Sequence, residues 1–150
     1  MKLFSATLGM LAALVGALLA QPSASDPRLR FRAVDIFIDS RETPLAAYQL
    51  EFSVKGGSAR VVGVEGGEHP AFNEAPFYDP KAIQQERVII AAFNTASPDK
   101  LPKGKTRVAT IHLQVSGEQA PEYTVNLATA ATSTGRKIST QAAFQERNVK

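Results

Sequence analysis

Pro44-Leu45-Ala46-Ala47-Tyr48-Gln49-Leu50-Glu51-Phe52-Ser53-Val54 decides the fold. Ala46, Tyr48, Leu50, Phe52 and Val54 alternate with Ala47, Gln49, Glu51 and Ser53, so one side of the segment is apolar and the other largely polar. That is the pattern of a strand in a sheet with one buried and one wet face. Pro44 fits a position just outside the ladder, where its missing N–H is no loss, and residues 39–43 before it read as a polar loop. On the far side, Lys55-Gly56-Gly57-Ser58 is a tight reversal, because glycine takes positive φ without steric cost.

The same period recurs outward from this strand. In residues 31–38, Val34, Ile36 and Ile38 share one face, while Phe31, Ala33, Asp35 and Phe37 share the other. Residues 59–64 give a short strand that stops at Gly66-Gly67. Periodicity then disappears over residues 68–85, where Pro70, Pro76 and Pro80 oppose a long helix or a central strand. Phe72, Phe77 and Tyr78 are expected to tie this stretch to the core or to form an edge strand. Residues 87–93 are nearly continuously apolar, which suits a strand covered on both sides. A polar loop with Pro98, Pro102 and Gly104 leads to residues 108–115, where Ala109, Ile111, Leu113 and Val115 point inward and Thr110, His112 and Gln114 outward. Tyr123, Val125 and Leu127 start a further strand with Thr124 and Asn126 on its wet side. Gly135-Arg136-Lys137 turns the chain, and Ile138 is expected in a closing strand. Residues 145–150 lack apolar support and are expected to fray, which puts the ordered core at about residues 31–140.

Ahead of these strands lies a secretory leader. Met1-Lys2 supplies a positive start, residues 3–20 form an uncharged apolar or small-residue run, and Pro22 ends any helix. Ser23-Ala24-Ser25 sets small residues for cleavage before Asp26, giving a signal peptide at 1–25 and one domain at 26–150. Cleavage after Ala20 is the second option, with a poorer Leu18 upstream. An uncleaved anchor is the third, since the run is close to the roughly 18 residues a bilayer span needs and Arg28, Arg30 and Arg32 follow it. The expected address is secreted or extracytoplasmic, in the periplasm or at the cell surface, with no membrane span once the leader is cut. The chain has no cysteine, so neither a lipid thioether nor a disulfide contributes, and the core alone must hold the fold.

Many short strands, glycine- and proline-rich turns and no amphipathic helix point to an all-β chain: an antiparallel β-sandwich of two packed sheets. Residue types that carry catalysis are sparse. His69 falls in a loop and His112 on a wet face, and there is neither a cysteine nucleophile nor a Gly-x-Ser-x-Gly elbow. Carboxylate pairs without an aromatic-lined cleft do not make a glycosidase. The reading is therefore not an enzyme. Glu65, Glu68, His69, Glu74 and Asp79 share one irregular region, but their spacing matches no Asp-x-Asp-x-Asp-Gly calcium loop, so they read as a solvated acidic loop and no metal site is assigned. Lys100, Lys103, Lys105 and Arg107 have no interleaved aromatic ring and read as loop charges guarding an apolar strand. The formal charge of +3 is a small imbalance, which disfavours a nucleic-acid partner.

Residues 44–54, followed by Ala59-Arg60-Val61-Val62-Gly63-Val64-Glu65-Gly66-Gly67, resemble the strand pair of cohesin domains. Residues 87–94 are similar to that family's central apolar strand. Lys103-Gly104-Lys105-Thr106-Arg107-Val108-Ala109-Thr110-Ile111-His112-Leu113-Gln114-Val115 is similar to its Gly-x-Gly-x-Leu-Ala-Thr-Ile-x-Phe-x-Val strand. The resemblance covers about residues 31–138 and implies a jelly-roll sandwich of about nine strands, related to cellulose-binding modules of families two and three. It also implies a non-catalytic module that binds a dockerin-bearing protein, with calcium carried by that partner and no cofactor of its own. Strand parity combined with the resemblance gives Gln49, Glu51, Arg87 and Asn126 as partner contacts.

The related modules bind polysaccharide, which gives a second reading. Sugar faces need exposed rings, yet the chain has no tryptophan, and Tyr48 and Tyr123 have core parity. Tyr78, beside Phe77, is left for display. A structural subunit of an envelope or extracellular assembly is the third reading.

Overall fold

A computed structural model describes residues 28–148, so the leader expected at 1–25 lies outside the described residues. Eight strands form: β1 (Arg30–Asp39), β2 (Ala47–Lys55), β3 (Ser58–Gly66), β4 (Phe77–Tyr78), β5 (Arg87–Phe93), β6 (Lys105–Ser116), β7 (Glu122–Ala131) and β8 (Ala142–Asn148). They make two four-stranded antiparallel sheets, sheet A in the order β3-β6-β1-β8 and sheet B in the order β4-β5-β2-β7. Single 3-10 turns at Pro70–Phe72, Pro80–Ala82 and Pro98–Lys100 punctuate the loops, and among the described residues no helix is long and apolar enough to cross a membrane.

The alternation in residues 44–54 becomes the inner face of sheet B. Tyr48, Leu50 and Phe52 are buried and meet Val34, Ile36 and Ile38 of β1 and Ile111, Leu113 and Val115 of β6 in one core. Each such side chain contributes roughly 1.5–3 kcal/mol relative to exposure. Tyr48 also ties the sheets together: its hydroxyl donates to the Val108 carbonyl at 3.0 Å, and its ring meets Phe72 edge-on at 5.4 Å. Burial pushes this phenol well above its ordinary pKa. Tyr123, Val125 and Leu127 line the inner side of β7 and pack partly buried against the core.

Pairing is nested, β1 with β8, β2 with β7, β3 with β6 and β4 with β5. Every link except that from β4 to β5 carries the chain from one sheet to the other. The Gly56-Gly57 reversal, at φ 66° and 64°, is one of these crossings and does not close a hairpin. Gly66 and Gly67 serve another. A Cβ on Gly66 would overlap the Asn73 and Glu74 backbone, and one on Gly67 would overlap the Arg107 carbonyl and Val108. The chain leaving β3 therefore passes against β6 before it reaches β4.

The structure departs from the sequence reading in several places. β5 is not covered on both sides: Val88 and Ile90 are buried, whereas Ile89 and Phe93 are exposed. A sandwich has only two layers, so each sheet is covered on one side and every second residue of β5 must face out. Thr110 does point away from the core, but it is buried beneath charged side chains on the outer face of sheet A. A bulge in β6 between the partners of Ile36 and Phe37 lets Val108 and Ala109 both enter the core. Residues 145–148 do not fray, because β8 pairs along β1 through Asn148. Ile138 is buried outside any strand, its N–H donating to the Ala130 carbonyl at 2.8 Å, and the closing strand begins at Ala142.

Candidate functional site

The outer face of sheet B is built from alternate residues of its four strands. Register sets Asn126, Glu51 and Ile89 in one row, and Thr124, Ser53 and Arg87 in the next. Two further rows hold Thr129, Gln49, Ala91 and Phe77, then Ala131, Ala47 and Phe93. Gln49, Glu51, Arg87 and Asn126 therefore share one face. Arg87 donates to the Glu51 carboxylate at 2.6 Å, and this bond holds Glu51 below the ordinary carboxylate range while raising Arg87. Both groups stay in contact with water, so the pair orients the side chains more than it stabilises the fold.

Toward the β4 edge the face turns apolar. Phe77 and Phe93 are 70% and 65% exposed, and Ile89 is 40% exposed. The two rings stack 6.1 Å apart at an interplanar angle of 14°. Cross-strand register explains the contact, since Phe77 stands opposite Ala91, two residues from Phe93 on the same face. A depression of about 340 Å³ lies beside them, lined by residues of 70–77 and by Ala92, Phe93 and Asn94. Asn94 braces its wall by donating from Nδ2 to the Ala71 carbonyl at 3.0 Å.

Of the two aromatics expected on a loop, Tyr78 is not displayed. It is half-buried and packs against the core, while its neighbour Phe77 faces solvent, as alternation in even a two-residue strand requires. Phe93 and Ile89 were not among the sequence-derived site residues. The signal that finds them is β5 parity, once the second covering layer is dropped.

The acidic residues of the 65–79 region have separate tasks. Glu65 stands 3.1 Å from His112 Nε2, although not aligned for a hydrogen bond. Glu68 accepts from the Arg107 backbone N–H at 2.9 Å. His69 and Asp79 accept from the first N–H groups of the 3-10 turns that follow them. Among the described residues no group of three His, Asp or Glu side chains is placed to hold a metal ion. Lys105 lies over the Phe37 ring at 4.9 Å, and Arg107 donates to Thr110 and to the Gly66 carbonyl, so two of the four loop cations are engaged within the domain. No protein-family model, curated protein or solved structure matches this chain.

Proposed function

We propose that this chain is a secreted, non-catalytic binding module of the cohesin type that docks a protein partner through the outer face of sheet B. The observation that carries this reading is the mixed character of that face. Phe77, Ile89 and Phe93 lie exposed beside Gln49, Glu51, Arg87 and Asn126, which is the composition of a docking patch with an aromatic anchor and a polar rim. The nested strand pairing supports the finer assignment of a jelly roll, because a jelly roll is one long nested hairpin wound into two sheets. The resemblance to cohesins adds the partner class, a dockerin-bearing protein that carries its own calcium.

Affinity capture from the producing organism's secretome, with and without calcium, tests the reading. The wild-type chain should recover, in a calcium-dependent way, a protein with paired Asp-x-Asp-x-Asp-Gly loops. The Phe77→Ser/Phe93→Ser double variant should bind it about 100-fold more weakly, as loss of an aromatic hot spot does. Capture that ignores both calcium and the two substitutions would sink the proposal.

A polysaccharide ligand has an observation of its own, the two exposed and nearly parallel rings of Phe77 and Phe93. Retention on insoluble cellulose or chitin, lost in the same double variant, would favour that reading over protein docking.

A further inference from the structure

Each sheet ends in two edges, and an edge offers unpaired N–H and C=O groups to any strand that approaches, so folded proteins guard their edges. Three of the four edges here are guarded. β3 is bulged at Val62, and its Val61 N–H and carbonyl bond Gln85 and Gln84 at 2.8 and 2.7 Å. β4 is two residues long. β8 carries Glu146 and Arg147, which pair with Arg32 and Asp35 of β1.

β7 differs. It runs for 10 residues, and it is capped only at its end, where Ala130 accepts from Ile138 and Ala131 bridges Lys137. A bulge at Ala128 precedes that cap. Over residues 122–127 no described strand pairs with its outer edge. This stretch holds no lysine, arginine or proline, and its one charge is Glu122 at the start. A groove of about 350 Å³ runs beside it, between Val125, Asn126 and Leu127 on one side and Thr140, Gln141 and Ala142 on the other.

We propose that this edge pairs with the same edge of a second copy, β7 antiparallel to β7, joining two copies of sheet B into one eight-stranded sheet. Charge selects the occupant. Antiparallel self-pairing sets the start of one strand against the end of the other, so the two Glu122 carboxylates stand at opposite ends and no like charges meet. The neutral edge offers no charge pattern to choose a different strand, while Tyr123, Thr124 and Val125 are good strand formers on both sides of the pair. The dyad is perpendicular to the sheet, so the contact is isologous and both outer faces point the same way. If that face docks a partner as proposed above, the dimer presents two docking faces side by side; the dimer itself does not rest on that reading. An edge of six residues belongs to the small, transient class of interfaces, so association is expected in the micromolar range or weaker.

The absence of cysteine supplies the test, because a single introduced thiol can cross-link only to another copy. Sedimentation equilibrium of the protein as its own cells process it, from about micromolar to about millimolar concentration, should show mass doubling. Thr124→Cys, in the middle of the free edge, should oxidise to a covalent dimer about tenfold faster than Gln114→Cys on sheet A, since opposed Cβ atoms lie within disulfide reach. Thr124→Lys and Thr124→Glu should each weaken the dimer about tenfold, and mixing the two should restore it. Circular dichroism checks that the variants fold. A monomer mass throughout would overturn the proposal. So would cross-linking no faster than the control, or a dimer indifferent to both charges.

Discussion

The two outer faces of this sandwich solve the same problem in different ways. On sheet A the polar groups satisfy one another. Arg107 donates to Thr110 at 2.8 Å, Thr110 donates to Asp35 at 2.7 Å, and Arg147 from β8 donates to the other Asp35 oxygen at 2.9 Å. This chain of bonds spans β6, β1 and β8 and is sheltered enough that Thr110 is fully buried. Among the described residues, sheet B has one ion pair on its outer face and leaves Phe77, Ile89 and Phe93 in water. A face whose polar groups are already bonded has little to offer a partner, whereas exposed aromatic surface is stabilised only when something covers it. On the reading proposed above, the contrast sets stability on one side of the molecule and recognition on the other.

The largest expected effect tests how Phe77 is delivered to its face. The chain crosses from β3 to β4 through Gly66-Gly67, and Gly67 is pressed against the backbone of Arg107 and Val108. Gly67→Ala forces that backbone apart and should cost about 3 kcal/mol in denaturant unfolding, the upper range of overpacking penalties. A cost below about 1 kcal/mol would mean that the crossing yields easily and that the placement of Phe77 is loosely determined.

The next effect lies on sheet A. Asp35→Ala removes the acceptor shared by Thr110 and Arg147 and leaves a buried hydroxyl without its acceptor, for an expected loss of about 2 kcal/mol. Burial alone would raise the Asp35 pKa, but the bonds from Thr110 and Arg147, with the charges of Arg147 and Arg107, outweigh it and hold the carboxyl below the ordinary range. Its folded value thus lies below its unfolded value of about 3.9. The stabilisation is fully present above about pH 4 and is lost as pH falls through the folded value. Thermal melts between pH 7 and pH 2 should show an acid limb for the wild type that is flatter in Asp35→Ala. Parallel limbs would remove Asp35 from the account of sheet A.

The strand alternation in residues 44–54 and 108–115 was legible in the sequence because burial on one side imposes a period of two that local residues cannot hide. The outward parity of the polar residues Gln49, Glu51 and Asn126 follows from the same rule. What could not be read was tertiary cover. Residues 87–93 hold apolar side chains on both parities, and only the number of layers says which half is wet. Thr110 reads as a wet-face residue, and its burial depends on Asp35 and Arg147, far away in the chain. The last strand was hidden for a related reason. Residues 142–148 carry one large apolar side chain, Phe144, and are held by backbone pairing with β1 and by the Glu146–Arg32 and Arg147–Asp35 ion pairs, none of which hydrophobic periodicity registers.

The smallest effect on stability carries the sharpest test of the contrast between faces. Phe93 is 65% exposed, and its ring stacks on that of Phe77. Phe93→Ser should therefore change unfolding stability by no more than about 0.5 kcal/mol, the ordinary scale of a surface substitution. An exposed stacked pair kept for the fold would show a larger loss, near the roughly 1 kcal/mol that aromatic pairs contribute beyond burial. Measured beside Asp35→Ala, the two substitutions should separate. Asp35→Ala should lower stability and leave partner binding intact, and Phe93→Ser should do the reverse. If Phe93→Ser destabilised the domain as much as Asp35→Ala, the aromatic pair would be a structural staple for β4, and sheet B would be finished internally in the same way as sheet A.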